Sequence, residues 1–363
     1  MKLLKIILFL FLFLPPPIFA APTINGVSGT VSDGNSVTIS STGTDFGASP
    51  TQLKWDDFDS GTNSEDIGNS WNLPDADNHP VYSNSNNRTN STLNAYSNNG
   101  TDDLEYNHSG TISTVYVTFW MYSTRSITDS TYNNKWLKIW HDGVDFQPEI
   151  TLITQWAGPG SQCNLANENL VYVFTDTITN PTVSTWERIE VYAEESTSPG
   201  GTFDGTADGN VYVWQQVGGE GNTFTLTAEQ ENVATNSSGD SRHWERVCLM
   251  EYNRSSGGST TTRVDDVYIS SSRARVEVGD NATWANCTHR EIQLQTAWST
   301  SSITVTVNQG SFSTGTAYLF VIDENGDASA GYEITISNQV SSINWNGSGS
   351  INWSGSGSII WSE

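Results

Sequence analysis

The sequence predicts an all-β protein: a two-sheet antiparallel sandwich together with a smaller β unit. Three observations lead there. The chain is rich in Thr, Ser, Asn and Gly and carries 14 Trp, 13 Tyr and 13 Phe, a composition that favours strands and turns over helices. No stretch shows the i, i+3, i+4 apolar spacing of an amphipathic helix. Several segments alternate between apolar and polar or aromatic residues, the two-residue period of a strand with two different faces.

The first 20 residues end before any of this begins. "MKLLKIILFLFLFLPPPIFA" places Lys2 and Lys5 ahead of an apolar run from Leu3 to Leu14 and closes on Ala20, the layout of a secretory signal cleaved after Ala20. The run breaks at Pro15, too early to span a bilayer. The expected location is therefore outside the cell, secreted or at the cell surface, with no membrane insertion. Asp and Glu number 40 against 15 Lys and Arg, for a formal charge of −25, and Lys2 and Lys5 depart with the signal. Nucleic acid is excluded as a partner, because such binding depends on Lys and Arg against phosphate.

In an exported chain, Cys163, Cys248 and Cys287 allow one disulfide, with all three pairings open, and leave one thiol. Their spacing and the scattered histidines do not match a metal site. No cofactor is expected.

The central strands share one design. In "VYVTFWMY" Val115, Val117, Phe119 and Met121 oppose Tyr116, Thr118, Trp120 and Tyr122; in "KWLKIW" Leu137 and Ile139 oppose Trp136, Lys138 and Trp140. In "WERIEVYAEE" Ile189, Val191 and Ala193 oppose Trp186, Arg188, Glu190, Tyr192 and Glu194, and in "GNVYVWQQ" Val211 and Val213 oppose Tyr212, Trp214 and Gln216. The aliphatic faces suit the interior of a sandwich. If the other faces are open, Trp120, Trp136, Lys138, Trp186, Arg188, Glu190, Tyr192, Tyr212 and Trp214 offer stacking surface and hydrogen-bonding groups for sugars. The competing reading is that loops or a neighbouring domain cover them.

"FDSGTNSEDIGNSWN", "KWLKIW", "WERIEVY" with "DGNVYVW", and "RVDDVYIS" resemble the concanavalin A-like lectin/glucanase jelly rolls, in particular laminin-G-like modules and some polysaccharide lyases. The likeness covers roughly residues 55–275. The flanks resemble an immunoglobulin-like IPT/TIG domain: "SVTISS" after the Asp33-Gly34 turn, then "REIQLQTAWSTSSITVTVNQGSF" and "TAYLFVIDENGDASAGYEITI". The resemblance implies a jelly roll (55–275) inserted into an immunoglobulin-like sandwich split between 21–54 and 276–337. Insertion is tolerated where the ends lie close together, and about 30 N-terminal residues are too few for a core of their own.

Two smaller features stand apart. Asp323, Asn325 and Asp327 in "DENGDAS" hint at a structural calcium site, but the twelfth position of such a loop is Ile334 rather than Glu, and a hairpin turn at Asn325-Gly326 explains the segment better. The tail, 338–363, repeats "INWNGSGS INWSGSGS IIW" with Trp345, Trp353 and Trp361 eight apart. It reads as a flexible segment, an added sheet or a self-associating edge.

For function, glycoside hydrolysis finds no carboxylate pair. Glu190 and Glu194 are about 13 Å apart along a strand, beyond the ~5–9.5 Å such chemistry uses. A polysaccharide lyase on an acidic glycan is the alternative, with Tyr192 or His141 taking the proton and Arg188 neutralising the uronate. The reading favoured here is a secreted carbohydrate-binding protein that recognises a polysaccharide or cell-surface glycan through the aromatic face. A structural or adhesive surface protein is the third possibility.

Overall fold

In the computed structural model, the described residues are 21–73, 79–98, 104–108, 112–124, 132–141, 149–154, 161–166, 172–197, 207–235, 244–255, 261–338, 343–345 and 351–353. The signal expected at 1–20 lies outside them. Their regular structure is β throughout, apart from one 3-10 turn at Trp284–Asn286. Among these residues no helix is long and apolar enough to cross a membrane.

The strands form antiparallel sheets in a sandwich arrangement. At the centre of an eight-stranded front sheet, Thr114–Ser123 pairs with Glu187–Glu194 on one side and Thr261–Ser270 on the other. Gly209–Gln215 lies beyond Glu187–Glu194, and Thr225–Val233 forms the edge. A six-stranded back sheet is built around Tyr132–His141, between Glu149–Thr154 and Trp244–Ser255. The alternation sends Val115, Val117, Phe119, Ile189, Val191, Val211 and Val213 from the front against Leu137, Ile139, Ile150, Leu152 and Leu249 from the back. Each such burial is worth about 1.5–3 kcal/mol.

One strand departs from the expectation. "KWLKIW" belongs to the back sheet, so Trp136 and Lys138 do not share a face with Arg188. Both neighbouring registers shift at Trp136. An extra residue of this kind breaks the two-residue period, and Trp136 joins the core.

The third sheet has seven strands drawn from both ends of the chain. Ser36–Ser40 pairs with Ser302–Thr306, placing Ile39 opposite Ile303 and Val37 opposite Val305. Arg290–Trp298 pairs with Arg275–Gly279 through its first half and with Ser302–Thr306 through its second. Around this bend Val37, Ile39, Val276, Val278, Ile303, Val305, Leu319 and Ile336 make a separate core.

The two crossings between this sheet and the front sheet lie side by side. Gln52–Asp56 enters the front sheet as a neighbour of Thr261–Ser270, which leaves it. Thr51 and Ser271 close the pair through Ser271 N–H to the Thr51 carbonyl at 3.0 Å. Residues 52–270 thus leave and rejoin the third sheet at a single place.

The three cysteines are buried and free, so the disulfide that export allowed is not formed. In the tail, Ile343–Trp345 pairs with Ile351–Trp353, with Asn344 opposite Asn352. The third unit, at Trp361, is outside the described residues.

Candidate functional site

The outward face of the front sheet is covered in part by the third sheet. Ile292 and Leu294 pack on Tyr116, Tyr192, Tyr268 and Trp55, and the charged residues of that face meet charged partners. Arg188 donates to Glu277 Oε1 at 2.6 Å, to the Arg290 carbonyl at 2.7 Å and to Thr118 Oγ1 at 2.9 Å. Glu190 accepts from Arg290 Nη2 and from the Tyr116 hydroxyl, each at 2.9 Å, and from Arg275 Nη2 at 3.4 Å. Trp284 Nε1 donates to Glu277 at 2.6 Å.

Arg188 and Glu190 are each 2% exposed. Burial pushes the Glu277 carboxyl up, but Arg275, Arg290 and Arg188 outweigh it and hold the group well below the usual carboxylate range. Burial pulls Arg188 down, and Glu190 with Glu277 more than reverses this.

The expected binding residues therefore divide. Trp120, Trp136, Lys138, Arg188 and Glu190 are buried and cannot meet a sugar; for Arg188 and Glu190 the reason is the charged partner across the seam. Lys138 Nζ sits 3.4 Å from the Trp140 ring centroid on the back sheet. Trp186 is half-buried near Tyr122, with Nε1 donating to the Asn86 carbonyl at 2.8 Å, at the end of its strand opposite Glu194.

Tyr192, itself buried at 8% exposure, comes together with the half-buried Tyr212 and Trp214. Tyr192 and Tyr212 are register partners on adjacent strands, with ring centroids 6.2 Å apart and planes at 28°. Tyr212 and Trp214 follow at 5.6 Å and 17°. Tyr192 and Tyr212 line a groove of about 340 Å³ together with Thr114, Glu194, Asn210, Ser272, Arg273, Glu324 and Asn325, and Trp214 adjoins it through Tyr212. Asn210 Nδ2 donates to Glu194 at 2.7 Å, the Ala48 N–H to Glu324 at 2.8 Å, and the Tyr212 hydroxyl to Glu231 at 2.6 Å.

The groove closes against the Asp323–Asp327 turn. Asp323 Oδ1 accepts from the Asn325 and Asp327 N–H groups, both at 2.9 Å, so this carboxylate shapes the hairpin. Gly326, at φ 88°, lies so close to the Arg273 guanidinium that a Cβ would collide with it. Arg273, Asn210 and Glu324 carried no signal in the strand pattern. They lie at strand ends or turns and reach the groove only through the packing of two sheets.

The lyase arrangement is not assembled. Arg188 is spent on Glu277, and His141 is on the back sheet while Tyr192 is on the front. Burial, then Glu194, pushes the Tyr192 hydroxyl above its ordinary value, so it stays protonated and little tyrosinate is present to take a proton.

Among the described residues, Glu220, His289 and Glu291 bring ligand atoms within 4.8 Å of one another, as a metal site requires. Arg88 already supplies the positive charge there: Nη2 is 2.6 Å from Glu291 Oε1 and 3.2 Å from Glu220 Oε1. The cluster fits a guanidinium rather than a metal ion.

No protein-family model and no curated protein sequence matches the chain. Among solved structures, the alginate lyase vAL-1 from Chlorella virus is 13% identical over 56% of this chain and 93% of its own, with a TM-score of 0.38. A putative beta-glucanase from Mycobacterium abscessus is 13% identical over 60% of this chain and 100% of its own, with a TM-score of 0.37. The binding domain of Botulinum neurotoxin serotype D is 11% identical over 57% of this chain and 42% of its own, with a TM-score of 0.34.

Proposed function

We propose that this is a secreted carbohydrate-binding protein that takes a polysaccharide or cell-surface glycan into the groove beside Tyr192, Tyr212 and Trp214. The observation that carries the reading is the three-ring stack at the rim of a groove that also offers Glu194, Asn210 and Glu324. A sugar needs both: an aromatic surface for the apolar side of its ring and fixed polar groups for its hydroxyls. The third sheet, proposed as an IPT-like carrier, contributes Glu324 and Asn325 to one wall.

The test is a polysaccharide screen by affinity electrophoresis of the mature chain and its Tyr212→Ala variant. Retardation by at least one polymer, reduced about tenfold in affinity by losing the ring, supports the reading. Equal retardation of both proteins would sink it. Growth of unsaturated product in the same mixtures would instead point to lyase chemistry.

A further inference from the structure

Among the described residues, one cation in the groove lacks an acidic partner. The Arg273 guanidinium lies 5.3, 5.6 and 5.1 Å from the ring centroids of Tyr192, Tyr212 and Trp214. Among the described residues its side chain donates no hydrogen bond and forms no ion pair. The contrast is local: two residues on, Arg275 is 3.1 Å from Glu277 and 3.4 Å from Glu190.

Burial, then the charge of Arg275, pulls the Arg273 guanidinium below the ordinary arginine value, and what pushes back is the nearby tyrosines. A partly desolvated cation without a counterion is unfavourable, and an anion brought by a ligand relieves it. Gly326 and the ring stack both lie against the guanidinium and limit its movement.

The rest of the groove limits how much negative charge can enter. Glu194 and Glu324 line it and can accept hydrogen bonds from hydroxyls, but they repel further carboxylates. We infer that the groove selects a glycan with an isolated carboxylate, a uronic or sialic acid unit at a chain end or between neutral sugars, held by Arg273 with the sugar ring against Tyr212. This inference rests on the carbohydrate reading above. A neutral glycan leaves Arg273 unpaired; a polymer with a carboxylate on every unit sets the adjacent charges against Glu194 and Glu324.

The experiment measures affinity by calorimetry for glucuronoxylan, hyaluronan and a sialylated glycoprotein, each beside its carboxyl-reduced or desialylated counterpart, with polygalacturonate as the fully charged polymer. The proteins are the mature chain and its Arg273→Gln, Arg273→Lys and Tyr212→Ala variants, with near-UV circular dichroism to show that each is folded. At least one acidic ligand is expected to bind about tenfold more tightly than its neutral counterpart and than polygalacturonate. Arg273→Gln should abolish that preference, the acidic ligand then binding no more tightly than its neutral counterpart, while Arg273→Lys keeps part of it. The ligand that shows the preference identifies the source, uronic or sialic.

If the neutral forms bind as well as the acidic ones, or the preference survives Arg273→Gln, the inference is overturned; the groove reading still stands where Tyr212→Ala weakens binding. Polygalacturonate as the tightest ligand would also overturn it. If none of these ligands binds, or binding ignores Tyr212→Ala, the groove reading falls and the inference with it.

Discussion

Arg188 Nη2 stands 2.6 Å from Glu277 Oε1, a contact between the strand Glu187–Glu194 of the front sheet and the strand Arg275–Gly279 of the third. Both side chains are almost fully enclosed. Glu277 also faces Arg275 and Arg290, at 3.1 and 3.5 Å. Among the described residues, Glu277→Gln therefore leaves Arg188, Arg275 and Arg290 sharing Glu190 as their remaining ion-pair carboxylate. Such a change in a buried network costs about 3–5 kcal/mol, read as a fall in the urea midpoint; a loss below about 1 kcal/mol would show the seam to be wet.

The same carboxylate sets an acid limit. The folded-state value of Glu277 lies below its ordinary 4.5, so its contribution is complete above about that pH and is lost as pH falls towards the folded value. Urea midpoints should decline on acidification below about pH 4.5. Glu291, also held low against burial by Arg88 and His289, adds to the slope. Glu277→Gln should flatten the curve in part; an unchanged slope would contradict the assignment.

Trp120 and Tyr212 separate structure from binding. Trp120 is buried beneath the Arg88 guanidinium, 3.9 Å from its ring centroid, and Trp120→Ala should cost about 3–5 kcal/mol of stability. Tyr212→Ala removes a half-exposed ring and should instead lower glycan affinity about tenfold. Thermal melting and affinity electrophoresis on the two variants should give opposite patterns.

The thiols offer a chemical check. All three cysteines are free and buried, and burial pushes the Cys287 thiol up to about 11. The native protein should react slowly with a thiol reagent, three thiols should appear on denaturation, and reducing agent should leave the melting temperature unchanged. A titre of one thiol would mean that a disulfide forms on export.

Removing residues 21–48 tests the long-range pairing. Without Ser36–Ser40, the strand Ser302–Thr306 loses a neighbour, and Ile303 and Val305 lose Ile39 and Val37. The truncated chain should bind a hydrophobic dye and lose exchange protection in 302–306, while the strands of the front sheet keep theirs. Unchanged protection at 302–306 would show the pairing to be dispensable.

The sequence by itself determined the all-β class and the inner faces of the front sheet. Both follow from local rules: strand composition, and a backbone that turns alternate side chains to opposite sides. Hence Val117, Phe119, Ile189 and Val213 were legible as core. At Trp136 that rule failed, because a register shift beside a neighbouring strand interrupts the period. Only the tertiary structure decided what covers the other face. Alternation shows that Arg188, Glu190 and Tyr192 project together, but not that Glu277 and Arg290, 89 and 100 residues from their partners Arg188 and Glu190, enclose the first two and leave Tyr192 at a groove. The physical reason is that a side chain's direction is set by its own backbone, whereas its access to solvent is set by whatever packs against it.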